Sequence, residues 1–313
     1  MGASQSAPHA RTLLPKIEKD AQICVLEEKD LSEIVDLTVA SFVGNATTLG
    51  EQTFRWGFGP ENRGDPPDSC EHFNKGIRWY MYWCARACLW YGSCIGWRDE
   101  ESGKLLACAM CFHPGSIHQR GKPIGMWRFI NMVLHVRSAP PDHTDEKTYG
   151  PWAKKRFEQI NDVMHELHAH VPGRHWSVWV LAGHPEHKGK GCGSKVLRAV
   201  MDMATLDADP LTAVYLECAD DKVGPPLPGC VAVLLSLANH VEINLKVAHR
   251  QLQVMSVGLS GACGSVHVCH VQKVYYEKQR MTCFKTKELV DPNAEGEGSF
   301  AMHGMVCVPS LLK

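Results

Sequence analysis

The sequence has almost no net charge: 33 Lys plus Arg stand against 34 Asp plus Glu over 313 residues, a formal balance of -1. Without an excess of positive charge, bulk attraction to nucleic acid is excluded and no nucleic-acid partner is expected. Long apolar runs are missing too. The longest, residues 230–238, falls well short of the roughly 18 residues that a membrane-spanning helix needs, and Arg78 and Arg86 interrupt the aromatic stretch 77–91. No charged leader with an apolar core and a cleavage site opens the chain. Its 14 Cys are therefore expected to be reduced, small core residues of a cytoplasmic protein. Charge is also missing locally. The 51 residues 223–273 hold four charged side chains, Glu242, Lys246, Arg250 and Lys273, against 63 in the other 262 positions.

What is present describes an ordered globular protein, with 44% hydrophobic and 21% charged residues. Residues 1–20 read as a flexible lead. Within it Gly2 and Ser6 fit an N-myristoylation pattern, which would give weak membrane association, since one acyl chain anchors only marginally. Residues 22–26 read as a strand, and Asp30 with Glu33 as a capping box before a helix carrying Leu31, Ile34, Val35, Val39 and Phe42 at helical spacing. Residues 44–69 form a Gly, Pro and Asn-rich loop with Phe54, Trp56 and Phe58 embedded. A helix is expected over 70–91, then a hairpin of strands 94–97 and 105–112. Cys108 and Cys111 sit three apart on the second strand and should point to opposite faces. With no second pair at metal-ligand spacing, no metal site is expected. A helix over 154–170 should end in a solvated face at 167–170.

The most informative stretch begins at Trp176. Residues 176–181 read as a strand that Gly183 and Pro185 must end, followed by the glycine-rich run from Lys188 to Ser194. A helix then presents Val196, Leu197, Val200, Met203 and Ala204 on one face. A glycine-rich loop leading into a helix lets backbone approach a ligand closely and offers free N–H groups to a phosphate. A nucleotide P-loop is excluded, because neither Lys188 nor Lys190 is followed by a hydroxyl residue. A dinucleotide fingerprint fails because, counting Gly189 as the first place, the sixth is Ser194.

Residues 181–197, LAGHPEHKGKGCGSKVL, resemble the signature [QR]-x-x-G-x-[GA] of the GNAT superfamily of N-acetyltransferases. Gly191 and Gly193 fill the two small positions, and Lys188 stands where Gln or Arg is usual. The resemblance implies an acyl-CoA N-acyltransferase fold: one α/β (α+β) domain with a mixed, mostly antiparallel central sheet flanked by helices. It also implies acetyl-CoA as co-substrate and a small-molecule or peptide amine as acceptor. In such a fold Leu181, Ala182 and Gly183 would bind the pantetheine arm. Lys188, Gly189, Lys190, Gly191, Cys192, Gly193 and Ser194 would hold the pyrophosphate. Residues 211–218 would be the fifth strand. Tyr275, Tyr276, Glu277 and Lys278 resemble the family's F-Y-E-K segment, which places Tyr276 as the acid that protonates the departing thiolate. Where the family then has Gly-Phe, this chain has Arg280 and Met281.

Two residues are candidates for the general base, Glu217 on the fifth strand and His184 at the end of the fourth. Glu217 can equally be an edge charge and His184 a loop-capping side chain. The under-charged residues 223–273 interrupt a single domain over 21–308. Joining Lys222 to Lys273 restores the family's spacing, so the segment is expected to be an insertion or a retained intron. The alternative to an enzyme is a CoA-binding module that has lost turnover.

Overall fold

The computed structural model describes residues 8–17, 20–45, 48–49, 71–114, 153–171, 173–207, 209, 211–220, 276–289 and 300–309. The aromatic loop beyond residue 49 and the under-charged segment 223–273 lie outside the described residues. Runs of β-branched, aromatic and small apolar residues, bounded by turn formers, give seven strands that pair into one sheet. They are β1 (Ile23–Leu26), β2 (Ser93–Arg98), β3 (Leu105–Phe112), β4 (His175–Gly183), β5 (Ala213–Asp220), β6 (Thr282–Leu289) and β7 (Phe300–Cys307). Their spatial order is β1-β2-β3-β4-β5-β7-β6. Every neighbouring pair is antiparallel except β4 with β5, which is parallel. The mixed, mostly antiparallel sheet is therefore as the sequence led one to expect.

Helices cover both faces. Helix α1 (Pro8–Leu13) lies on one face, and α2 (Leu31–Val43), α3 (Glu71–Tyr91) and α4 (Ala153–Ala169) lie on the other. Helix α5 (Cys192–Ala204) shares the face of α1 and buries Val196, Leu197, Val200, Met203 and Ala204 against Val214 and Leu216 of β5. Those five residues are the stripe read from the sequence. Burying such side chains contributes on the order of 1.5–3 kcal/mol each, so this stripe fixes where the start of α5 must stand. Cys108 and Cys111 do point to opposite faces, one toward α3 and the other toward α5.

Strand β4 changes phase part-way along. Cys111 of β3 pairs with Val178 and Met110 with Val180, so Trp179 is an extra residue, a β-bulge. Before it, Trp176 and Val178 face α5; after it, Val180 and Ala182 face α2 and α3. Trp179 joins the second group, and Leu181 swings back to the α5 face.

Four expectations change. Residues 8–16, read as part of a flexible lead, are helical, and Ala10, Leu13 and Leu14 are buried in the core because they continue the apolar face under β2. The capping box lies three residues earlier than expected. A 3-10 turn at Glu28–Asp30 precedes α2, and Glu27 and Asp30 cap each other. Asp30 and Glu33 instead grip Arg98, at 2.9 and 2.8 Å, and Glu33 accepts the Leu105 N–H. At the end of α4, Leu167 is buried and His168 half-buried, leaving only Ala169 and His170 exposed. His168 and His175 share a 2.8 Å hydrogen bond, and burial pushes the His168 ring down to about 4. Finally, the turn after Tyr276 forms without the family's glycine. Arg280 adopts φ 64, the left-handed cap, while Arg280 N–H bonds Glu277 and Met281 N–H bonds Tyr276.

Candidate functional site

The parallel ladder between β4 and β5 is short. It runs from His175↔Ala213 to Val178↔Leu216 and stops, while β5 continues from Glu217 to Asp220 paired, among the described residues, with β7 alone. Residues 180–183 of β4 remain bonded to β3 on one side, and among the described residues no strand occupies the other. The sheet forks there, and one edge of Val180–Gly183 pairs with no strand among the described residues, so its backbone N–H and C=O groups face the gap.

The glycine-rich loop stands at the far end of that edge. After a 3-10 turn at Pro185–His187, Gly189 and Gly191 take φ 85 and 78, and a Cβ on either would meet nothing within 4 Å. Only glycine adopts this backbone without strain, so the two residues are there for conformation. Gly191 is the N-cap of α5 and no side chain caps the helix. The first-turn N–H groups of Cys192 and Gly193 thus stand at a positive helix end that no side chain caps. Lys188 and Lys190 are exposed beside it, while Cys192 turns inward and is buried. Lys195 is already engaged, 2.8 Å from Asp20 and over the Trp97 ring.

Glu217 occupies the apex of the fork, directly after the last rung. It shares the face of Tyr215, whose hydroxyl donates to the Glu217 carboxylate. The side chain is half-buried, and burial pushes its carboxyl up to about 7 although the Tyr215 bond pulls the other way. Among the described residues no lysine or arginine pairs with it. Tyr276 lies across the sheet. It is half-buried and packs against the core on the α5 face.

His184 stands apart from the apex. It is six residues beyond Val178, roughly 20 Å of strand away, and its N–H bonds Leu106 of β3. Its Nε2 is 2.9 Å from Lys104 Nζ, and burial followed by the Lys104 charge holds the ring below the usual imidazole range. His184, Glu186 and His187 bring ligand-type atoms within 4.8 Å of one another. The Lys104 ammonium beside His184 opposes a cation there. The structure thus brings Leu181, Ala182, Gly183 and the loop into one continuous edge, with Glu217 at its closed end, and leaves His184 on the outer side of β4.

No known family matches the chain by sequence, and no curated protein does. The chain is similar to acetyltransferases of known structure. Arylalkylamine N-acetyltransferase 2 from Aedes aegypti is 8% identical, with 92% of this chain and 98% of that chain covered and a TM-score of 0.46. A histone acetyltransferase and related acetyltransferase from Corynebacterium glutamicum is 14% identical over 91% and 94% of the two chains, with a TM-score of 0.40. The polyamine N-acetyltransferase of Drosophila melanogaster, which forms N-acetylagmatine, is 10% identical over 91% and 99%, with a TM-score of 0.39.

Three residues at the apex escaped the sequence reading: Tyr215, which holds Glu217, and the pair Trp83 and Trp179, whose rings stack 6.1 Å apart at 13°. The alternation of Tyr215 and Glu217 on one strand face was a usable signal. Nothing in the sequence joins residue 83 to residue 179.

Proposed function

We propose that the protein is an N-acetyltransferase that moves the acetyl group of acetyl-CoA to an amine. The observation that carries this reading is the fork between β4 and β5 running into the uncapped start of α5. An extended, amide-bearing arm ending in a pyrophosphate fits such a groove, because the strand edge offers it hydrogen bonds and the glycine loop offers N–H groups and two lysines.

When bound, acetyl-CoA supplies an activated thioester. Lys188 to Ser194 hold the pyrophosphate through first-turn N–H groups and charge. The free edge of Leu181, Ala182 and Gly183 aligns the pantetheine arm and donates to the carbonyl oxygen as charge grows there. Glu217 takes a proton from the incoming ammonium, so the amine reaches the thioester neutral. The nitrogen bonds to the acetyl carbon as the carbon–sulfur bond breaks. Tyr276 gives a proton to the sulfur and is reprotonated through solvent by the second proton that the nitrogen sheds, so of the two amine protons one ends, in net terms, on the thiol and one leaves through Glu217. Base and acid stand on opposite faces of the sheet, with the fork between them. No helix among the described residues is long and apolar enough to cross a membrane. Weak membrane contact through a myristoylated Gly2 is a separate part of the reading, tested by Gly2→Ala.

Release of CoA thiol from acetyl-CoA with a panel of primary amines, together with equilibrium binding of CoA, tests the reading. Binding with amine-dependent release supports it. Binding without release by any amine replaces it with a binding module, and no CoA binding overturns it.

A further inference from the structure

The surroundings of Glu217 describe the molecule that approaches it. Glu217 and Trp179 are the first residues past the last rung of the β4–β5 ladder, so they face each other across the mouth of the fork. Trp179 follows Val178, which faces α5, so alternation along the strand turns Trp179 to the opposite face. That is the face Glu217 shares, and the bulge keeps Val180 on it as well, so the fork presents Trp179 and Val180 side by side there.

There Trp179 meets α3. Its ring stacks on Trp83 and lies edge-on to Phe112 at 4.6 Å. Tyr80, one helical turn before Trp83, is 6.4 Å from it with the planes tilted by 34°. Tyr80 also lies close enough to Glu217 for the carboxylate charge to act on its hydroxyl. Tyr80, Trp83 and Trp179 are all half-buried rather than sealed in the core. The result is a corner of three aromatic rings beside a carboxylate that lacks a cationic partner among the described residues.

Both halves of that corner ask for the same ligand. A half-buried carboxylate without a counter-ion favours an incoming ammonium, and the π-faces of Tyr and Trp add attraction for the same charge. The rings also offer rigid apolar area that an aromatic group fills better than a hydrated polycation does. A second acidic group, which a long polyamine or a guanidinium tail would need, is not found at this corner among the described residues. We infer that the acceptor is a primary amine joined by a short alkyl chain to an aromatic ring, its nitrogen at Glu217 and its ring against Tyr80, Trp83 and Trp179. This rests on the acetyl-transfer reading for its chemistry, and on the aromatic corner alone for its selectivity.

The test compares 2-phenylethylamine with agmatine and spermidine. Acetyl transfer is expected to favour 2-phenylethylamine by tenfold or more in kcat/KM. Trp83→Ala and Tyr80→Ala should each raise its KM about tenfold and leave the KM for acetyl-CoA unchanged, while Trp83→Phe restores most of the loss. Quenching of tryptophan fluorescence by 2-phenylethylamine, without acetyl-CoA present, reads the corner independently of turnover. Preference for agmatine or spermidine, or equal loss with all three amines in both alanine variants, overturns the inference and leaves acetyl transfer standing. Saturable quenching without CoA binding overturns acetyl transfer and leaves the aromatic-amine site standing. Absence of quenching by 2-phenylethylamine in the folded wild type overturns the site.

Discussion

Replacing Glu217 by Gln preserves the shape of the side chain and its bond with Tyr215 but removes its capacity to take a proton. Burial lifts the wild-type carboxyl from 4.5 to about 7, so its proton-accepting form gains ground as pH climbs through neutrality. For an amine acceptor, kcat/KM is expected to rise along a limb centred near that value. Glu217→Gln should flatten the limb and lower its plateau by ~10²-fold or more, the usual contribution of a positioned base. Stability moves the other way. A carboxyl whose folded pKa stands above its unfolded value favours folding at acid pH, and the contribution is lost as pH rises from 4.5 to about 7. The full loss is on the order of 3 kcal/mol. Glu217→Gln should therefore resist urea better than the wild type at about pH 8 and match it at about pH 4. Thiol-release rates across this range and urea titrations at both ends measure the two effects. A variant with wild-type kcat/KM and an unchanged pH limb refutes Glu217 as the base. A variant with no gain in stability at alkaline pH refutes the burial argument.

Arg280→Gly, relieving φ 64, is expected to raise stability by up to ~1 kcal/mol, read as a higher urea midpoint at constant slope. Gly191→Ala forces a side chain into φ 78 and is expected to weaken CoA binding by about tenfold or more, with Tyr276 and Glu217 untouched, measured by calorimetry. Arg98→Met leaves Asp30 and Glu33 without their shared cation and should cost roughly 2–3 kcal/mol in chemical unfolding. The His168 ring sits lower when folded than when unfolded, so the stability it contributes is whole above 6.5 and lost as pH falls toward about 4. His168→Phe should blunt that loss in acid titrations. Joining Lys222 directly to Lys273 should leave acetyl-CoA binding within about twofold of the full chain; loss of binding in a folded variant refutes the insertion reading.

The legible parts of this protein were those set by local pattern. The stripe Val196, Leu197, Val200, Met203 and Ala204 announces α5, and glycines at 189 and 191 announce a loop that only positive φ can close. The apolar run from Ala213 to Leu216 announces β5, and the two-residue period of a strand then puts Glu217 on the face of Tyr215. The bulge at Trp179 left no mark, because Val178, Trp179 and Val180 are all apolar and a slip of phase among them changes nothing in the pattern. The aromatic stretch of α3 read as a helix, but which of its rings meet the fork depends on how that helix docks on the sheet, a long-range contact with no local pattern. At Arg280 the chain uses a residue that gives no hint of a left-handed cap. At Asp30 the carboxylate looked like a cap for α2 because the 3-10 turn that displaces it has no periodicity to read.

Mechanically, the fork makes the sheet two plates, β1 to β4 and β5 to β7, joined along a seam only four residue pairs long. Over the rest of their length, among the described residues, no strand pairing joins the plates, and helices such as α5 span them. A molecule that bonds both lips of the gap supplies rungs that the chain itself omits, so loading the groove should stiffen the protein as a whole. At a hundredfold excess over its dissociation constant such a brace adds ~2.7 kcal/mol, and amide exchange along residues 179–183 should slow with it.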